Sequence, residues 1–218
     1  MILLSLYLAC LFFSALTATR LSKHLESRQA SVFIPFLWYV AIQELYSACG
    51  AIFDFLSVGQ SAVIYNLYRP LATSFFVIFY YRLPVNVPVR RLIAWMYGVY
   101  LAVLVISFLF IQPITIYNSY LSLSSGFVIT FCGIFFLFNY FNLDDTAEER
   151  KWLPVVWITI GITTFYPVVN ISFSFYKLIV AYRAGIFGIP LYQFVPRIMS
   201  IIMYSCFSYA FYLCKKKN

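Results

Sequence analysis

Where polar residues interrupt apolar ones, the chain divides into seven long apolar stretches, at about residues 2–18, 32–53, 60–81, 92–112, 117–140, 152–180 and 190–213. Each is close to the ~20 residues with which a helix crosses the hydrocarbon core of a bilayer, where every backbone amide must find its partner inside the segment. A barrel strand would alternate apolar and polar positions over ~10 residues, whereas Leu101 to Ile111 is apolar on every face. The pattern predicts an all-α polytopic membrane bundle of seven transmembrane helices, forming a single domain over residues 1–218.

Composition agrees. Apolar residues make up 63% of the chain, charged residues 10%, and the mean hydropathy is +0.88. A water-soluble surface needs about 25–35% Asp, Glu, Lys and Arg. The basic residues orient the bundle, because eleven of the 15 fall in alternate connections. These are Arg20, Lys23 and Arg28; Arg82, Arg90 and Arg91; Arg150 and Lys151; and Lys215, Lys216 and Lys217. Only Lys177 and Arg183 lie on the other side, while Arg69 and Arg197 lie within spans. The positive-inside rule therefore expects the N-terminus outside and the C-terminus in the cytoplasm, which an odd number of spans requires.

The net charge of +8 then reflects topology and contact with anionic lipid headgroups. It does not indicate nucleic acid, because the basic residues are dispersed and no recognition motif accompanies them. The first stretch has no basic residue before it, so it reads as a retained span and not a signal peptide. Cys10, Cys49, Cys132, Cys206 and Cys214 all fall in predicted helices, and the only histidine, His24, lies in a cytoplasmic loop. No disulfide, metal or cofactor site is expected from that arrangement.

The longest connection, Thr19 to Ser31, leaves no room for a soluble domain, and short loops make successive helices antiparallel neighbours. Pro84, Pro88, Pro113, Gly185, Gly188 and Pro190 mark turns, and Asp145 with Glu148 forms a D-x-x-E capping box before the sixth span. Asp144, Asp145, Glu148 and Glu149 read as a solvated loop with that box, since Arg150 and Lys151 follow at once. The Asn170-Ile171-Ser172 sequon lies inside a helix, out of reach of glycosylation.

Three charges remain inside spans: Glu44, Arg69 and Arg197. Facing lipid, each would cost about 2.5–3.5 kcal/mol, so all three should face the interior. At ~1.5 Å per residue, Glu44 and Arg69 lie about 14 Å below the outer surface on consecutive helices, and Arg197 about 10 Å. Polar residues accompany them at helical spacing: Tyr65, Asn66 and Thr73 around Arg69; Gln193, Ser200 and Tyr204 around Arg197; Thr163, Tyr166 and Asn170 in the sixth span beside Pro167. Gln43 flanks Glu44, and Asp54 stands at the outer mouth.

Two readings fit these residues. In one, Glu44 and Arg69 form a buried ion pair that fixes helix register, and the other polar groups are interhelical hydrogen-bond glue. In the other, Glu44, Arg69, Arg197, Asn66, Tyr166, Asn170 and Gln193 line a ligand pocket open to the outside. Glu44 neutralises one arginine and leaves one over, which favours a small anion. A proton path through Glu44 lacks a relay in the inner half. Catalytic machinery is thin: no histidine accompanies a nucleophile, and intramembrane aspartyl chemistry needs two deep carboxylates where there is one.

The Tyr65-Asn66-Leu67-Tyr68-Arg69 stretch, and Trp152-Leu153-Pro154-Val155-Val156-Trp157 through Tyr166, resemble uncharacterised seven-helix bacterial inner-membrane proteins. That resemblance implies a bacterial inner-membrane location and a receptor or accessory role in signalling, and transfers no functional residue. The expected function is a small sensor or receptor-like module, with membrane lipid around it, a small anionic ligand in the outer pocket, and a cytoplasmic or membrane protein as output partner.

The alternatives are a small-solute transporter or channel with a 3+1+3 arrangement like that of SWEET sugar transporters, or a structural subunit of a membrane complex. Arg69-Pro70 and Pro196-Arg197 early in the third and seventh spans suggest such a repeat, but the SWEET Pro-Gln pair is absent. A transporter needs polar access from both sides, whereas Phe75 to Tyr81 is almost purely apolar and aromatic.

Overall fold

The computed structural model describes residues 2–21, 31–142 and 146–215. Lys23, His24, Arg28, Asp144, Asp145, Lys216 and Lys217 lie outside the described residues, and with Asp145 the expected capping box. Seven long helices appear in chain order: α1 (Ile2–Arg20), α2 (Phe33–Ile52), α3 (Val58–Tyr81), α4 (Val87–Ile106), α5 (Ser119–Phe141), α6 (Thr146–Ser174) and, after a short α7 (Tyr176–Ala181), α8 (Leu191–Lys215). Six of them are long and apolar enough to cross a membrane. The other is α2, which has the length but carries Gln43 and Glu44 at its middle.

Several boundaries differ from those the apolar pattern gives, each for a local reason. α4 starts at Val87, not residue 92, because Pro88 sits in its first turn, where the missing N–H is no loss, and the helix continues through Arg90 and Arg91. It ends in a π-helical turn, Ser107–Ile111, closed by the Gln112 N–H donating to the Ser107 carbonyl at 2.9 Å. α3 starts at a capping box: the Ser57 hydroxyl accepts from the Gln60 N–H, and the Gln60 side chain accepts from the Ser57 N–H.

The apolar stretch 152–180 resolves into two helices, α6 and α7, separated at Phe175. α7 leads into a hairpin, β1 (Gly185–Ile186) against β2 (Ile189–Pro190), in register Gly185 to Pro190. Its two-residue turn, Phe187-Gly188, has both φ positive (52° and 76°), the sign pattern of a type I′ hairpin. A Cβ on Gly185 would stand 2.8 Å from the Ile189 carbonyl oxygen, so glycine is what lets the two strands close.

The chain forms two compact units, Met1–Leu45 with Tyr140–Asn218, and Tyr46–Asn139. In the first, α8 has the most extensive contacts, with α6 and then α1. α6 and α8 run antiparallel. Trp157 meets Tyr209 with ring centroids 4.8 Å apart, and Tyr176, just past α6, meets Tyr192 at 4.9 Å. Between these pairs Gly161 lies flat on α8, where a Cβ would stand 3.1 Å from the Met203 carbonyl oxygen and from the Cys206 Cβ. α1 and α8 run parallel, with Tyr7 6.2 Å from Tyr204 between ring centroids.

In the second unit, α3 and α5 run parallel. Asn66 meets Asn118 near one end, and the Tyr80 and Phe136 rings lie 6.3 Å apart near the other. Phe76, Val77, Phe79 and Tyr80 are all buried there. The units thus group α1, α6 and α8 with the first part of α2, and α3, α4 and most of α5 with the last turns of α2, which is not a division into helices 1–3 and 5–7 of a repeat.

Candidate functional site

The seven sequence-predicted residues divide between the units: Asn66 and Arg69 in the second, and Glu44, Tyr166, Asn170, Gln193 and Arg197 in the first. Helical spacing placed each group on a common face, and burial follows that spacing. Asn66 and Thr73 are 1% and 0% exposed on α3, and Ser200 and Tyr204 are buried on α8.

In the second unit Asn66 is committed to a loop. Its amide nitrogen donates to the Ile114 carbonyl at 2.8 Å and the Ile116 carbonyl at 2.7 Å, and its Oδ1 accepts the Asn118 N–H at 3.1 Å. Both amide protons and one lone pair are thereby used to hold the connection between α4 and α5. One turn on, Arg69 donates to the Tyr117 hydroxyl at 3.2 Å. The Thr73 hydroxyl donates to the Arg69 carbonyl and interacts with Tyr100, which also lies in the field of Arg69 and Tyr97. Ser74 and Tyr97 join hydroxyls at 2.7 Å. The result is a guanidinium set among tyrosine hydroxyls from α4 and the loop. Tyr97, Tyr100 and Tyr117 had no distinguishing signal in a chain with 19 tyrosines.

In the first unit Glu44, from α2, and Tyr166, from α6, both act electrostatically on Tyr204 of α8. Tyr204 is 5% exposed and Tyr166 7%. Next to Glu44, the Gln43 amide is buried, and neither its Oε1 nor its Nε2 has a hydrogen-bond partner among the described residues. Thr163 turns its hydroxyl to the Thr159 carbonyl of its own helix, so it is spent locally. Gln193 donates to the Tyr192 hydroxyl at 3.4 Å. Asp54 is exposed in a left-handed turn (φ 53°) just after α2.

Arg197 differs from the other in-span charges. It is half-buried, and among the described residues its guanidinium has no hydrogen-bond or ion-pair partner. The register of α6 and α8 fixes its level: Arg197 lies twelve residues before Tyr209, as Val169 lies twelve after Trp157. That sets Arg197 at the level of the Pro167 to Asn170 turn, about 7 Å from the end of α6 at ~1.5 Å per residue. Pro196 removes one N–H from the α8 ladder next to it. A cation held there without a protein partner is suited to take an anion.

Comparison with known proteins finds no family model, no curated protein and no solved structure that matches this chain.

Proposed function

We propose that this protein is a small membrane sensor or receptor-like module whose first unit takes a small anion at Arg197. The observation that carries this reading is the lone guanidinium within an apolar helix. A charge at membrane depth is retained where it has a use, and it otherwise finds a partner. Gln193 offers an amide one turn away, Asn170 lies on the same level, and Tyr166 with Tyr204 supplies phenolic groups beneath. Glu44 sits by Tyr204 and sets the inner limit for a negative ligand. Asn66 and Arg69 serve their own unit by fixing the loop 114–118.

In this reading α2 is the seventh span: its 20 residues reach about 30 Å. The N-terminus is outside and the ends of α3, α5 and α8 face the cytoplasm of a bacterial cell. Two cation–aromatic contacts suit that orientation. Arg90 lies 5.6 Å from the Tyr81 ring centre, and Lys151 5.4 Å from that of Trp152, as at a lipid headgroup boundary on the basic side. The buried apolar inner half of α3 favours a sensor over a transporter, which would need polar access there.

The test is thermal stability of the detergent-purified protein across a panel of soluble anionic metabolites, for wild type and Arg197→Ala. A ligand of the folded state adds RT ln(1 + [L]/Kd), about 2.7 kcal/mol at a hundredfold excess over Kd. At least one anion should raise the wild-type midpoint and leave that of Arg197→Ala unmoved. Equal shifts in both proteins, or none in either, would remove the site.

A further inference from the structure

Resting on that reading of Arg197, we infer that the anion is the headgroup of an anionic glycerophospholipid, whose acyl chain lies in a groove between α1 and α8. The groove has a volume of about 410 Å³ and is lined by Ala9, Cys10 and Phe13 of α1 and Tyr204, Ser205 and Ser208 of α8. Pockets of about 300–1,000 Å³ are the size that holds a small organic ligand. Its walls are apolar in effect, because the Ser205 hydroxyl donates to the Ile201 carbonyl and the Ser208 hydroxyl to the Tyr204 carbonyl. Neither serine has a donor left for an occupant, which suits hydrocarbon and not a polar solute.

The guanidinium stands in line with this groove. Arg197, Tyr204 and Ser208 are spaced i, i+7 and i+11, one face of a helix. From Arg197 to the groove-lining Tyr204 and Ser208 is about 10 and 16 Å along the axis. The cation is thus one to two turns inside the end of α6, within reach of the headgroup layer for a side chain that extends toward water, and the groove lies further along α8, deeper in the bilayer. Among the described residues its guanidinium has no ion-pair partner, so a net anionic headgroup is favoured over a zwitterionic one.

Cys10 lines the groove and reports its occupancy. The delipidated full chain, in a maltoside detergent, is alkylated with N-ethylmaleimide while long-chain phosphatidylglycerol, phosphatidylcholine, dihexanoyl-phosphatidylglycerol or inorganic phosphate is added. Peptide mass spectrometry follows Cys10, with fully buried Cys132 as a check that the fold persists. Long-chain phosphatidylglycerol at about ten times its Kd should slow Cys10 alkylation about tenfold, since the free fraction is 1/(1 + [L]/Kd). The other three additions should leave Cys10 fast.

Arg197→Gln should lose the protection while Cys132 stays slow, and Arg197→Lys should keep most of it. Protection equal in phosphatidylcholine, unchanged in Arg197→Gln, or absent throughout would overturn the inference. If a soluble anion stabilises the protein through Arg197 and phosphatidylglycerol fails to shield Cys10, the lipid is wrong and the anion site stands. If both fail, both go.

Discussion

Asn66 shows how much one side chain decides. Its amide closes the connection between α4 and α5 with three hydrogen bonds, at 1% exposure. Asn66→Ala would leave two carbonyls and one N–H without partners, and a buried group so stranded costs about 1–3 kcal/mol. We expect a loss of about 3 kcal/mol, read as a lower midpoint of thermal unfolding in detergent. Asn66→Asp, which keeps the acceptor for Asn118 but sets a buried carboxylate oxygen against the Ile114 and Ile116 carbonyls, should fall at least as far as alanine. An unchanged midpoint for the alanine variant would mean the loop is held by other contacts. That Asn66, Arg69 and Thr73 share a face was legible from i, i+3 and i+7 spacing. That the face meets a loop fifty residues on was not, because periodicity within one helix says nothing about what lies opposite.

Between elements, the α6–α8 contact is set by Gly161, against which Met203 and Cys206 approach to the limit of a β-carbon. Small residues permit such close helix approach in lipid, where dispersion and not hydrophobicity holds helices together. Gly161→Ala should lower stability by about 1 kcal/mol and Gly161→Leu by about 3, in the range of overpacking, measured as the same thermal midpoint. A leucine variant as stable as wild type would show that the helices part freely. Gly161 carries no signal in the sequence, since a glycine in an apolar span reads the same on either face. The element ends were partly legible. Gly188 marked the hairpin turn, but Pro88 begins α4 instead of preceding it, the charged Arg90 and Arg91 hid the first turn of that helix, and no proline or glycine marks the break at Phe175.

For the whole molecule, six helices are long and apolar enough to span, while the seventh span and the orientation that we propose rest on the charge bias of the connections. α2 has the length of a span and carries a carboxylate and an amide at mid-helix, and it falls outside the six. A reporter active only in the cytoplasm, fused after Val85, should be active, and the same reporter fused after Thr115 or Asp54 should be silent. Activity at Asp54 together with silence at Val85 would invert the bundle. Activity at both Asp54 and Val85 would show that α3, the helix between them, fails to cross. The grouping of spans into two units lay beyond the sequence, because short loops fix only neighbours in order and not which distant helices close on each other.

The π turn that ends α4 bears on how this chain tolerates changes in length. Its closing bond spans five residues where an α turn spans four, so Ser107–Ile111 holds one residue more than regular geometry needs. Elsewhere in a helix, gaining or losing a residue rotates all that follows by about 100° and turns buried faces outward. Here the extra residue sits at the helix end, so a single deletion converts the π turn to an α turn and leaves every preceding turn of α4 in phase. Among descendants of this sequence, indels in the fourth span have one place to accumulate, and it is between Ser107 and Ile111.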